Sequence, residues 1–134
     1  AAALRAWTIG GCVASGVAQF ALALAGHVGP EWPLRPTVFL LGAANGAFSI
    51  AAIGSMMALV GAGRASREGT RMGLWGAAQA IAFAAGGIVG TGCVDLMRLL
   101  LGSPLAAYSF VFGLEALAFL FAAGLAARVG AVTP

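Results

Sequence analysis

Residues 36–63 read PTVFLLGAANGAFSIAAIGSMMALVGAG, with no charged side chain anywhere in the run. A helix needs about 20 apolar residues to cross a hydrocarbon core of ~30 Å. This segment is therefore long enough to span a membrane and to tilt or project from it. It has company, because residues 6–26, 72–94 and 99–114, with the continuation 116–127, are also free of charge. The expected fold is an all-α integral membrane protein with four transmembrane helices, near 6–27, 36–63, 72–95 and 104–128. A transmembrane β-barrel is excluded, since its strands alternate apolar and polar residues and it closes with more than four of them.

Composition agrees. Of 134 residues, 61% are hydrophobic and 8% are charged, against roughly 25% charged in an ordinary soluble domain. So few charges could not coat a globule of this size, and a disordered or highly charged tail is excluded with it. The net charge of +3 rests on arginines alone. They are spread thinly between apolar runs and make no basic face for a phosphate backbone, so nucleic acid is not an expected partner.

The arginines speak instead to topology. One side of the bilayer would hold Arg5, Arg64, Arg67, Arg71 and Arg128, the other Arg35 and Arg98 with Glu31 and Asp95 nearby. The bias of basic residues towards the cytoplasm places both ends of the segment and the 64–71 turn on that side. The connections are short. Residues 27–35 hold Gly29, Pro30, Pro33 and an interfacial Trp32, and residues 97–103 end in Ser103 and Pro104, a helix cap followed by proline at the first helical position. The chain opens on alanine rather than methionine, and Ala1 is expected to be a point within a longer polypeptide.

Close approach of helices in lipid relies on small residues. The first span carries Gly11 and Ser15 four apart, the second Gly42, Gly46, Ser49 and Gly54, and the third Gly73, Gly76, Ala80, Gly86, Gly87 and Gly90. Packing within the bundle is the expected use. Walls thinned beside a ligand, or sliding surfaces, are the alternatives. The fourth span differs in carrying large residues, with Tyr108, Phe112, Glu115 and Phe119 on one helical face.

Glu115 is the first candidate for function. Eleven residues from Pro104 and 1.5 Å per residue put it ~17 Å deep. A carboxylate there costs at least ~2.5 kcal/mol if charged and facing lipid, so it is expected to be a neutral acid satisfied by a neighbouring helix, with a pigment or substrate contact and a proton-coupled site as the alternatives. Gln19 and Asn45 come next, both counted ~12 Å from the non-cytoplasmic surface. An amide pair bridging the first two spans is expected, with a shared ligand pocket as the alternative. His27 stands at the end of the first span, where a hydrated helix end is favoured over an axial ligand to a magnesium tetrapyrrole. Tyr108 and Phe112 complete the set that could face a pigment or substrate. Cys12 and Cys93 lie at opposite depths and are expected to remain unpaired. No zinc-protease, nucleophile-elbow, phosphate-loop or Cys-x-x-Cys signature is present. No catalytic or metal-binding residue is assigned, and an enzyme is not expected.

The most distinctive stretch is 64–83, RASREGTRMGLWGAAQAIAF, a tight turn carrying Arg64, Arg67, Glu68 and Arg71 that enters a glycine-lined helix through Thr70. Together with the run from Gly42 to Ile50, it resembles the PucC-like family, a branch of the major facilitator superfamily in phototrophic bacteria. The resemblance covers about residues 7–128 and is most specific at 68–83. It implies that the chain is the last third of a twelve-helix bundle, with the remaining helices of its own chain as partners. It further implies an assembly factor for light-harvesting complexes in the intracytoplasmic photosynthetic membrane, one that handles bacteriochlorophyll, antenna polypeptides or both. A secondary transporter, and a ligand-free tetraspan subunit of a membrane complex, are the other readings.

Overall fold

The structure is a computed structural model and describes residues 2–62 and 65–129. Among these, every regular element is helical. Helix α1 spans Ala2–Val28, α2 Leu34–Gly61, α3 Glu68–Leu101 and α4 Pro104–Val129, with a short 3-10 turn at Ala65–Arg67 before α3. All four are long and apolar enough to cross a membrane. Over the described residues the chain is a four-helix integral membrane protein.

Helix α1 is the centre. It packs along both α2 and α4, while α3 leans on α4 and barely meets α2. The core is correspondingly narrow. On α1 the buried residues are Gly11, Cys12, Ser15, Gly16, Ala18, Gln19 and Ala23, a stripe of mostly small side chains at three- and four-residue spacing. Opposite them α4 buries Ala107, Val111, Ala116 and Ala123. Large hydrophobic side chains such as Phe39, Ile50, Phe83, Ile88 and Phe121 point outward. That arrangement suits a lipid solvent, in which small residues let helix backbones approach and large ones meet acyl chains. A Cβ built on Gly11 would lie 2.8 Å from the backbone nitrogen of Phe48, and one on Gly16 3.2 Å from the carbonyl oxygen of Ala116.

The glycine motifs of the second and third spans behave differently from the expectation. Gly42 and Gly46 on α2, and Gly73, Gly76, Gly86, Gly87 and Gly90 on α3, have nothing within 4 Å of where a Cβ would stand. They do not pack the bundle formed by this chain. The spacing of small residues marks a surface that can be approached closely; it does not name the partner.

Two helix ends also depart from the expected positions. Helix α3 begins at Glu68 with Arg67 at the cap position and no side-chain cap, so Thr70 is already inside the helix. It then continues past Asp95 and Arg98 to Leu101. At 1.5 Å per residue it is ~51 Å long, well beyond the hydrocarbon core. The charges at 95 and 98 mark where the apolar run ends and leave the helix intact. What stops α3 is Gly102, in the left-handed region at φ 64°, whose N–H reaches the carbonyl of Arg98 at 3.1 Å. Gly29 ends α1 in the same way, at φ 89° with its N–H on Ala25. Ser103 caps α4 as its sequence suggests, with Oγ accepting from the Ala106 N–H at 3.4 Å.

Candidate functional site

The seam between α1 and α4 holds the polar groups. The side-chain amide nitrogen of Gln19 donates to a carboxylate oxygen of Glu115, linking the two antiparallel helices in the interior of the bundle. Gln19 is 7% exposed, and Ser15, one turn earlier on the same face of α1, is fully buried. Glu115 is half-buried. The amide oxygen of Gln19 and the hydroxyl oxygen of Ser15 are both buried without a hydrogen-bond partner among the described residues.

The energetics of that arrangement are informative. Interhelical hydrogen bonds in membranes contribute ~0.6 kcal/mol on average and up to ~1.7. A buried polar atom left without a partner costs about 1–3 kcal/mol, so the link does not by itself offset the two orphaned oxygens beside it.

Gln19 is thus joined to Glu115 rather than to Asn45. The α1–α2 register explains why. Gly11 faces Phe48 and Gly54 faces Leu4, which sets Asn45 opposite position 14, roughly five residues or ~7.5 Å along α1 from Gln19. The helix ends account for only about 3 Å of this offset, since Gln19 lies nine residues from Val28 and Asn45 eleven from Leu34; the rest is the stagger of α2 against α1. Asn45 is half-buried and makes no hydrogen bond among the described residues.

Tyr108 and Phe112 stand one turn apart on α4 with ring centroids 6.2 Å apart and planes tilted by 38°. They line an open cleft of about 390 Å³ at the Trp32 end of the seam, together with Leu22, Gly26, Trp32 and Leu105. That volume lies within the range of about 300–1,000 Å³ typical of small-molecule sites. Trp32 is fixed there, its indole N–H donating to Thr37 Oγ1 at 3.1 Å while the Thr37 hydroxyl donates to the Pro33 carbonyl at 2.8 Å. His27 is exposed in the last turn of α1 and does not line the cleft. A second groove of about 570 Å³, nearly all apolar, runs along the other side of the seam past Gly16, Phe20, Gly113 and Leu117. Phe119 Cβ lies 3.4 Å from where a Cβ on Gly16 would stand, so Glu115 and Phe119 both border α1.

At the arginine-rich end, two guanidinium groups serve the helix termini. Arg5 Nη2 donates to the Ala127 carbonyl of α4 at 2.5 Å, and Arg71 Nη1 to the Leu59 carbonyl of α2 at 3.3 Å. Both carbonyls belong to last turns, which have no intrahelical donor and sit at the negative end of the helix dipole. Sequence reading assigns Arg5 to topology and Arg71 to topology and the 64–71 turn, and foresees neither contact. Arg67 and Glu68 are exposed, and Glu68, in the first turn of α3, complements that helix's positive end. Arg64 lies outside the described residues. Cys12 and Cys93 are free thiols. Among the described residues no group of three or more His, Cys, Asp or Glu side chains converges.

These features define a multi-spanning helical membrane protein with a polar link buried between two spans and an aromatic cleft beside it. The chain belongs to the PUCC protein family, which it matches over residues 1–133. It is 55% identical over 126 residues to the bacteriochlorophyll synthase 44.5 kDa chain of Rhodobacter capsulatus. That alignment covers 94% of this chain and 29% of the relative, so the chain spans less than a third of the relative's length. No solved structure matches it.

Proposed function

We propose that this chain is part of an assembly factor for bacterial light-harvesting complexes, which handles bacteriochlorophyll, antenna polypeptides or both within the photosynthetic membrane. The observation that carries this reading is membership of the PUCC family together with 55% identity to a protein named for bacteriochlorophyll synthesis. The role proposed for this chain is one of binding and placing rather than catalysis. The surrounding bundle is taken as twelve helices of the major-facilitator kind, of which these four are the last, with the arginine-rich end in the cytoplasm.

Bacteriochlorophyll is cargo in this reading. The part of the chain best suited to it is the cleft at Tyr108 and Phe112, whose tilted rings offer faces to a flat macrocycle. Its opening towards lipid leaves room for the rest of the molecule. Gln19 and Glu115 sit behind that surface as the link that holds α1 to α4, and Gln19 is too deeply buried to reach a macrocycle. His27 lies off the cleft and receives no ligand role.

The test is a near-infrared absorption spectrum of the gently solubilised full-length protein, with its co-purifying polypeptides identified. Bound bacteriochlorophyll with antenna polypeptides is the expected result, with pigment reduced several-fold by Tyr108→Ala and Phe112→Ala together. A colourless protein with antenna polypeptides would leave a chaperone that touches only protein. A colourless protein with neither would favour a transporter.

A further inference from the structure

The second groove, lined by Gly16, Phe20, Phe110, Gly113 and Leu117, presents almost no polar surface. The seam beside it runs on towards the arginine-rich end. Gly16 packs against the carbonyl of Ala116, and eleven residues further along both helices Arg5 meets the carbonyl of Ala127. Eleven residues make three helical turns and ~16 Å, which returns to the same face of a helix. Leu117 and Arg128 are separated by the same interval on α4, and Gly124 between them has nothing within 4 Å of where a Cβ would stand. Two arginines therefore stand three turns beyond the groove, on the faces that line it.

The helices that carry these two charges do not neutralise them. Glu115 is the one acidic residue on α1 and α4, and thirteen residues set it ~20 Å along the axis from Arg128. Arg5 uses one of its five N–H donors on the Ala127 carbonyl, which belongs to the residue before Arg128. That bond brings the Arg5 guanidinium beside the backbone that bears Arg128, whose own side chain is exposed. The bias of arginine towards one side of a bilayer explains their depth. It does not explain why two of them head an apolar groove.

Depth and charge together select the occupant. Half of a ~30 Å hydrocarbon core is ~15 Å, so a chain anchored at the arginines ends level with Gly16 and Leu117. A ligand that meets both features carries an anionic head and a hydrocarbon tail about one leaflet long. We propose that this strip of the α1–α4 seam binds one anionic phospholipid. Arg5 and Arg128 hold its phosphate, and one acyl chain lies past Gly124 into the groove at Gly16 and Gly113. Guanidinium groups suit that head because they pair with phosphate through two parallel hydrogen bonds. The lipid joins α1 to α4 at the end of the bundle away from Trp32. This inference does not depend on the pigment reading.

The experiment is thermal unfolding of the full-length protein in mild detergent with added dioleoyl phosphatidylglycerol, dioleoyl phosphatidylcholine or inorganic phosphate. Phosphatidylglycerol should raise the midpoint by several degrees, as a ligand that binds only the native state does. Phosphatidylcholine, with the same tails and a zwitterionic head, should leave it unchanged, and so should phosphate. Each variant is then read as the difference between its own midpoints in the two lipids. Arg128→Gln should remove most of that difference, and Gly113→Leu, which fills open space in the groove, should do so from the tail end. Arg67→Gln deletes an exposed charge just before α3 and should keep it. Equal midpoints in the two lipids would overturn the proposal, as would a shift produced by phosphate alone. So would an undiminished difference in Arg128→Gln or Gly113→Leu, or a loss in Arg67→Gln as large as that in Arg128→Gln.

Discussion

Glycines in this chain look alike in sequence and differ in what they meet. At Gly11 an added methyl would collide with the backbone of Phe48, and neither helix can yield without shifting. Overpacking of that kind costs about 1–3 kcal/mol. Gly11→Ala should therefore lower the thermal midpoint of the protein in detergent. Gly54 is a softer case, since a methyl there would meet the end of the Leu4 side chain at 3.1 Å, which can rotate away. Gly54→Ala should fall between wild type and Gly11→Ala in the same melting series. A Gly11→Ala protein that melts with wild type would mean that α1 and α2 stand further apart than described.

At the scale of the helix, termini are set by local chemistry, and the membrane does not dictate them. Gly102 adopts a left-handed conformation that a side chain resists by roughly 1–2 kcal/mol. Gly102→Ala should destabilise the α3–α4 hairpin by about that amount, and Gly102→Asn by less, as measured by equilibrium unfolding. Arg71 acts across elements, donating to the last turn of α2. A basic group at a helix C-terminus contributes about 0.3–1 kcal/mol, equivalent to about a two- to fivefold change in an equilibrium. Arg71→Ala should accelerate amide hydrogen exchange in the final turn of α2 by that factor, and leave α1 unaffected. Hydropathy and the charge-free runs read the number of spans correctly because both report on the bilayer directly. They misjudged both ends of α3, because Asp95 and Arg98 tell where lipid stops and only Gly102 tells where hydrogen bonding stops. The Gln19–Glu115 link was hidden for a related reason. Both residues stood out as polar and deep, but which of three possible neighbours each would meet depends on α1 lying between α2 and α4, and no local pattern encodes that order. The one available hint was depth, since Gln19 lies nine residues from the end of α1 and Glu115 eleven from the start of α4.

For the whole molecule, the clearest asymmetry is α3. It has no buried residue, although it is the longest helix and carries the densest run of glycines. Lipid alone gives glycine no advantage on an exposed helix face, where it costs up to ~1 kcal/mol relative to alanine through lost helix propensity. Small residues are useful where another helix approaches closely. The chain spans 29% of the length of its Rhodobacter relative, and helices supplied by a polypeptide of that length would fit against the Gly86, Gly87 and Gly90 face. In a full-length protein, Gly90→Leu should then be destabilising by about 1–3 kcal/mol through overpacking. Ile88→Leu, at a position 74% exposed, is the matched control and should be neutral. The comparison is made by thermal unfolding of the two full-length variants in the same detergent. If Gly90→Leu proves as harmless as Ile88→Leu, the glycine face of α3 looks to lipid or to a transient partner, and any further helices would pack elsewhere, against the similarly open Gly42 and Gly46 face of α2.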